Sequence, residues 1–259
     1  MRFASLGSGS QGNALVIESA QTRVMLDCGF SVREIVLRLA RLSLSPLDVT
    51  AIVITHEHAD HVRGAVQFAA RYSVPICLTY GTLNWLLNYS AHKPGRDINY
   101  ILITGYSKFW INDLEVEPYP VPHDAKEPVQ FVFSDGDKRL GVLTDAGCST
   151  VHIEATLSGC DALILECNHD LTMLWNGHYS PGLKKRVAGR LGHLDNEAAA
   201  RLLAKLDNSK LQHIIAAHLS QHNNTPELAR QALSTALGCE EEWISTASQD
   251  EGFNWRQIA

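Results

Sequence analysis

Residues 55–61 read THEHADH and follow directly on the apolar run AIVI, Ala51–Ile54. Three histidines and two acids fall between His56 and His61. A hydrophobic core has no use for such a cluster, because each polar group costs about 2–7 kcal/mol to bury unpartnered and each charge more. The bland alternative is a polar surface loop in a chain with 12 histidines. The rest of the sequence decides between them. His123 follows EPYPVP, Asp145 follows RLGVLT and His218 follows HIIAA, each at the C-terminal end of an apolar stretch. Side chains on short loops at strand ends are held by a rigid sheet and stay open to a ligand. Imidazole and carboxylate suit zinc, manganese and iron, and the lack of thiolate partners disfavours a closed structural zinc. Ligands arriving from four chain segments fit a catalytic metal site better than a brace.

Bulk properties set the frame. A chain of 259 residues, 45% hydrophobic and 19% charged, can bury a sizeable core without disulfide or metal. No linker, repeat or low-complexity tract divides it, so residues 1–259 are expected to form a single domain. The start, MRFASLGSGSQGN, has no long apolar stretch behind a basic end, so no signal peptide is expected. No run approaches the length of a membrane span. The six cysteines are scattered without a CxxC pair, as expected of buried thiols in a reducing cytoplasm. The net charge of −6 weighs against a nucleic-acid partner, although a local basic strip or bound divalent cations would reverse the sign locally.

The glycines of GSGSQG (Gly7, Gly9, Gly12), with Asp27 downstream, imitate a dinucleotide-binding fingerprint. That fingerprint needs its third glycine to open a helix. Here it opens two short strands, Ala14–Glu18 and Arg23–Asp27, around a polar turn. The glycines are therefore read as a tight turn at a strand edge. A helix is predicted from the Ser31 cap to a stop at Pro46, then a strand in AIVIT, a helix around 63–72 and a strand in PICLT. GTLNWLLNYSAH reads as a helix. INYILI, LEVEPYPV, VQFVFS and RLGVLTD read as strands, with a hairpin turn at Asp135–Asp137. The last third alternates: helices near 150–158, 181–191, 195–206 and 226–237, strands in ALILEC and HIIAAHL, and short strands at the end. Such mixed runs favour two sheets layered with helices over a doubly wound parallel sheet.

THEHADH resembles the HxHxDH signature of the metallo-β-lactamase superfamily, and its companions fall in the family's order: Asp27 in MLDCG, His123, Asp145 in LTDAG and His218. The resemblance implies an α+β fold, a four-layer αββα sandwich with two divalent metal ions, zinc or manganese, at one edge. It implies that His56, His58 and His123 bind one metal, that Asp60, His61 and His218 bind the second, and that Asp145 bridges them. Asp27 would support the signature loop by hydrogen bonds.

The superfamily cleaves lactams, thioesters and phosphodiesters, so the fold alone does not choose a substrate. Asp145 stands where common lactamases carry Cys. GHLDNEAAARLLAK resembles the helix start of RNase Z-type phosphodiesterases, which implies that His193 protonates the leaving oxygen and that Glu166 orients it. GSGSQGN, HDAKEPVQF, ECNHD and AAHLSQHNN, within Ser8 to about Pro226, are similar to the YycJ/WalJ-like branch. That similarity implies a cytoplasmic DNA exonuclease working 5′ to 3′, with Asp60 holding the attacking water. The alternative is a hydrolase of a small cyclic phosphodiester or a thioester. Asp195 departs from the Ser expected there and is read either as a charge beside His193 or as a helix cap. His169, His222 and Asn223 are candidate substrate contacts, each with a structural alternative. Lys184, Lys185, Arg186 and Arg190 form a basic group just before His193. By default it is a solvated helix face; the sharper reading is that it meets a phosphate backbone. Trp175 could stack on a terminal base. His92, His152 and His213 carry no partner signal. Oligomeric state has no signal either.

Overall fold

The central strands of this chain are buried on both faces. In Ala14–Ser19 all six residues are buried, with Leu15 and Ile17 turned to one apolar layer and Ala14 and Val16 to another. Ala162–Glu166 repeats the pattern: Ala162 and Ile164 face the first layer, Leu163 and Leu165 a third. A near-continuous apolar run is what a strand needs when both faces are covered.

The computed structural model describes residues 1–89 and 98–259. Among them the strands form two seven-stranded sheets. The first runs in the order Phe253–Gln257, Arg2–Gly7, Ala14–Ser19, Thr22–Leu26, Ala51–Val53, Ile76–Thr79, Tyr100–Ile103. The second runs Ser245–Thr246, His213–Ala217, Ala162–Glu166, Arg139–Leu143, Val129–Ser134, Leu114–Pro120, Phe109–Ile111. Phe3, Ile17, Leu26, Phe131, Phe133 and Val142 belong to the apolar layer that the two sheets share. Val32–Arg41 and Ala65–Tyr72 cover the outer face of the first sheet through Ile35, Leu39 and Phe68. Asn196–Lys205 and Pro226–Leu237 cover the second through Leu202, Leu203 and Leu233. The result is the expected αββα sandwich.

Each sheet contains a run of parallel strands, Thr22–Leu26 to Tyr100–Ile103 in one and Arg139–Leu143 to Ser245–Thr246 in the other. Their C-terminal ends carry Asp27, the signature loop, Asp145, Glu166 and His218. Asp27, Asp145 and His218 all have left-handed backbone, at φ 60°, 54° and 55°. This conformation is uncommon for residues other than glycine, and it breaks each strand where its side chain must turn.

Several elements differ from the sequence reading. The helix after Ser31 ends at Arg41, and left-handed Ser43 follows it; Pro46 instead opens a short 3₁₀ turn, Pro46–Asp48. The 63–72 helix is two pieces, Ala59–Val62 and Ala65–Tyr72, on either side of Gly64. The 181–191 helix stops at Val187. Leu171–Asn176 and Phe109–Ile111 were not anticipated. Tyr80–Tyr89 is helical, whereas the end of the expected segment, with His92, lies outside the described residues. Among the described residues no helix is long and apolar enough to cross a membrane.

Candidate metal centre

The strand ends bring together four groups of side chains whose ligand atoms lie within 4.8 Å of one another: His56, His58 and His123; His56, His61 and Asp145; Asp60, His61 and His218; and Asp145, Glu166, His193 and His218. Asp145 links them, with Oδ2 3.2 Å from His61 Nε2 and Oδ1 4.0 Å from His123 Nε2 and 3.5 Å from His218 Nδ1.

One nitrogen of most rings is already committed. His61 Nδ1 lies 2.7 Å from Asp27 Oδ2, and His123 Nδ1 lies 3.0 Å from the Gly192 carbonyl. His218 Nδ1 lies 3.1 Å from Glu166 Oε1, and His56 Nδ1 lies 3.0 Å from Thr55 Oγ1, which in turn donates to Asp27. With the proton on Nδ1, each Nε2 presents a lone pair inward. His56 Nε2, His218 Nε2 and Asp145 Oδ2 are buried with no hydrogen-bond partner. His61 Nε2 faces Asp145 Oδ2 and, at 3.4 Å, Asp60 Oδ2. Lone pairs pointed at carboxylates repel unless a cation lies between them. These orphaned, convergent donors, all nitrogen and oxygen, fit divalent cations.

Electrostatics point the same way. Burial opposes charge on Asp145, yet His218 and His61 hold its carboxyl well below the usual range. Burial also opposes charge on His61, but Asp145, Asp27 and Asp60 raise it well above an ordinary histidine. His218, likewise buried, is pushed up to about 10 by Asp145, Asp60 and Glu166. His56 is driven down by burial and by neighbouring His61. Buried carboxylates here demand positive charge, which divalent cations held by these side chains would supply.

Uncharged residues from the turn at 8–13 hold the centre. Ser8 Oγ accepts from His218 N at 3.0 Å, and Asn13 N donates to the Asp60 carbonyl at 2.8 Å. Asn13 Nδ2 lies 3.2 Å from His61 Nε2. The glycine turn at the strand edge is thus a support of the site. Sequence reasoning missed Ser8, Asn13 and Thr55; the signal for Ser8 and Asn13 was their place in GSGSQGN, read only for its glycines and its resemblance.

A cleft of about 240 Å³ opens over the centre, lined by His58, Asp60, Asp145, His193 and His218 and by one wall containing Tyr179 and Arg186. The three candidate substrate contacts are elsewhere. His169 is completely buried, with its backbone bridged to Asp195, and Asn168 lines the cleft in its place. Asn223 is buried and its amide bonds Ser220 Oγ, which leaves Ser220 at the cleft. His222 is exposed and packs edge-on against Tyr179. Asp195 is a helix cap, accepting from Ala198 N at 2.7 Å, and Asp170 caps the helix Leu171–Asn176 through Met173 N. Of the basic group only Arg186 reaches the cleft; Lys184 Nζ donates to the Trp175 carbonyl.

Residues 22–215 match the family described as the β-lactamase superfamily domain. The chain is 34% identical to an exodeoxyribonuclease YycJ of Bacillus anthracis, over 92% of this chain and 89% of that protein. It is 32% identical to an exodeoxyribonuclease WalJ of Streptococcus pneumoniae, over 91% and 88%. A metallo-β-lactamase fold protein, YhfI from Bacillus subtilis, superposes with a TM-score of 0.74 over 98% of both chains at 14% identity, a likeness of fold alone.

Proposed function

The chain belongs to the metallo-β-lactamase superfamily, and from that premise we propose that it is a metal-dependent exonuclease that removes nucleotides from DNA in the 5′ to 3′ direction. The observation that carries this reading is the position of His193. It lines the same cleft as the ligand cluster, with Nδ1 fixed 2.8 Å from Glu166 Oε1.

In this reading His56, His58 and His123 would hold one divalent cation, zinc or manganese, and Asp60, His61 and His218 a second, with Asp145 available to both. Cations so held polarise a phosphoryl oxygen and lower the pKa of a nearby water. The rest falls to the chain's own groups. Burial opposes charge on Asp60, but His61 and His218 keep it ionised, so its carboxylate can orient the attacking water. His193 Nδ1 is engaged by Glu166, and Nε2 donates the proton that the departing alkoxide needs. The similarity to exodeoxyribonucleases over nine-tenths of the chain supports DNA as the substrate, and the free thiols support a reducing cytoplasm.

The test is degradation of a DNA oligonucleotide labelled at either end, with manganese, with zinc and with chelator, beside Asp60→Ala protein. Metal-dependent laddering from the 5′ end, absent in the variant, is expected. Intact DNA alongside hydrolysis of bis-p-nitrophenyl phosphate would make the enzyme a small-ester hydrolase instead.

A further inference from the structure

We propose that Tyr179 and Arg186 form a nucleotide subsite, in which Arg186 binds the phosphodiester next to the scissile one and Tyr179 stacks on its base. The proposal rests on the nuclease reading above and adds a binding site to it.

Among the described residues Arg186 is the one Lys or Arg side chain lining the cleft, beside His58, Asp60 and His193. Its Nε donates to Asp124 Oδ2 at 2.6 Å, and Asp124 is itself fixed by its backbone N–H on the Leu191 carbonyl. The guanidinium is therefore pinned by one nitrogen, and its two terminal nitrogens make no hydrogen bond among the described residues. A planar fork of donors held in advance matches a phosphate in two-point geometry and loses little freedom on binding. Fold stability does not account for the pair. The Arg186 side chain is 60% exposed, and ion pairs so exposed contribute little.

Tyr179 lies seven residues ahead of Arg186 on the same wall, just before the Ser180 cap of the helix Pro181–Val187. It is half-buried, and His222 packs edge-on against it with centroids 6.2 Å apart and planes at 71°. An aromatic ring held in this way beside a cation is the pairing that single-stranded nucleic acid uses, base on ring and phosphate on guanidinium. The wall itself is braced by Lys184 on the Trp175 carbonyl and by His193 N on the Val187 carbonyl at 2.9 Å. The second bond ties the subsite to the backbone of the proton donor.

An oligonucleotide has a neighbouring phosphate and a base attached through a sugar, whereas bis-p-nitrophenyl phosphate has neither a second phosphate nor a nucleobase. The metal-loaded wild type, Arg186→Gln, Arg186→Lys, Tyr179→Ala and Tyr179→Phe are compared on a single-stranded oligonucleotide and on that ester. For Arg186→Gln the ratio of kcat/KM on the oligonucleotide to kcat/KM on the ester should fall about tenfold through KM, the factor expected from losing one charge-assisted contact. The slope of log affinity against log salt should flatten by about 0.7, one phosphate contact on a single strand. Arg186→Lys should restore the slope but not the whole ratio, and Tyr179→Phe should keep what Tyr179→Ala loses. An unchanged ratio and slope would overturn the subsite. So would an equal loss on both substrates together with lost metal, since Arg186 would then act through Asp124 on His123, 3.5 Å away. A wild type that hydrolyses the ester and leaves DNA intact would remove the nuclease reading and the subsite with it, a result read from the wild type alone.

Discussion

Glu166 Oε1 lies 2.8 Å from His193 Nδ1 and 3.1 Å from His218 Nδ1, so a single carboxylate oxygen orients the proposed proton donor and a proposed metal ligand together. The other oxygen accepts from Ala146 N and Leu194 N. Burial disfavours charge on Glu166, but His193 and His218 hold its pKa down to about 2. Burial likewise disfavours an imidazolium on His193, and Glu166 with Asp145 more than offsets that, raising its pKa. Both carboxylates thus favour the imidazolium form of His193, the form a proton donor needs.

A deoxynucleoside alkoxide needs a proton to leave, and p-nitrophenolate does not. His193→Ala should therefore lower kcat on DNA by about 10²–10⁴, the range for a lost general acid, and lower it far less on bis-p-nitrophenyl phosphate. Rate measurements on the two substrates decide it. Equal losses on both would take His193 away from the leaving oxygen.

Asp27 touches no substrate, yet it should control metal affinity. Its Oδ2 fixes the tautomer of His61, and its Oδ1 accepts from Thr55 N at 2.9 Å, which ties the start of the signature loop to a neighbouring strand. Asp27→Asn should weaken metal binding by about 10–100-fold, as for other carboxylates behind a ligand histidine. Calorimetric titration of chelator-treated protein measures this. Wild-type affinity in the variant would leave Asp27 a loop brace only.

The charged residues of this site were legible because a fold gains little by placing histidine and carboxylate at the ends of apolar strands unless they bind something. The same pattern misled at His169, which also follows a strand but has its backbone bridged to Asp195 and is buried beside the cleft. Ser8, Asn13 and Thr55 were illegible for the opposite reason. They are uncharged, common in turns, and act through hydrogen bonds to residues 210, 47 and 28 positions away. Local structure shows the same split. Pro226–Leu237 was readable from its Thr225 cap and the closing Gly238. Phe109–Ile111 has no fully buried residue and therefore no periodic signature. Arg186 was visible only as part of a basic run; tertiary placement separates it from Lys184.

Far from the site, Glu18 should make stability depend on acid. Its carboxylate lies between Arg2 Nε at 2.6 Å and Arg23 Nε at 2.5 Å. Burial opposes its ionisation, and the two arginines lower its pKa below the ordinary value. A group depressed in the folded state adds stability above its unfolded pKa of roughly 4.3 and loses it as pH falls through the folded value. Urea midpoints of wild type and Glu18→Gln should differ at pH 7 and converge in acid, below about pH 4. A gap that persists in acid would show that the side chain acts through packing rather than charge.

Gly29 should be irreplaceable where another glycine is not. A Cβ there would sit 1.7 Å from the Asp60 carbonyl oxygen and 2.7 Å from Asn13 N, inside the hydrogen bond that fixes the signature loop. Both neighbours are backbone, so neither can swing aside, and Gly29→Ala must push Asp60 away from His61 and His218. Overpacking of this kind costs about 1–3 kcal/mol or more, and here it should also remove metal. Gly182, on the exposed helix Pro181–Val187, has nothing within 4 Å of a built Cβ. Gly182→Ala should be neutral or stabilise by up to about 1 kcal/mol through helix propensity and a less free unfolded chain. Urea midpoints at constant m value and metal content per chain compare the two variants. Full metal content in Gly29→Ala would mean that the loop can relax around a methyl group, and that the close approach of 29 and 60 is not what positions Asp60.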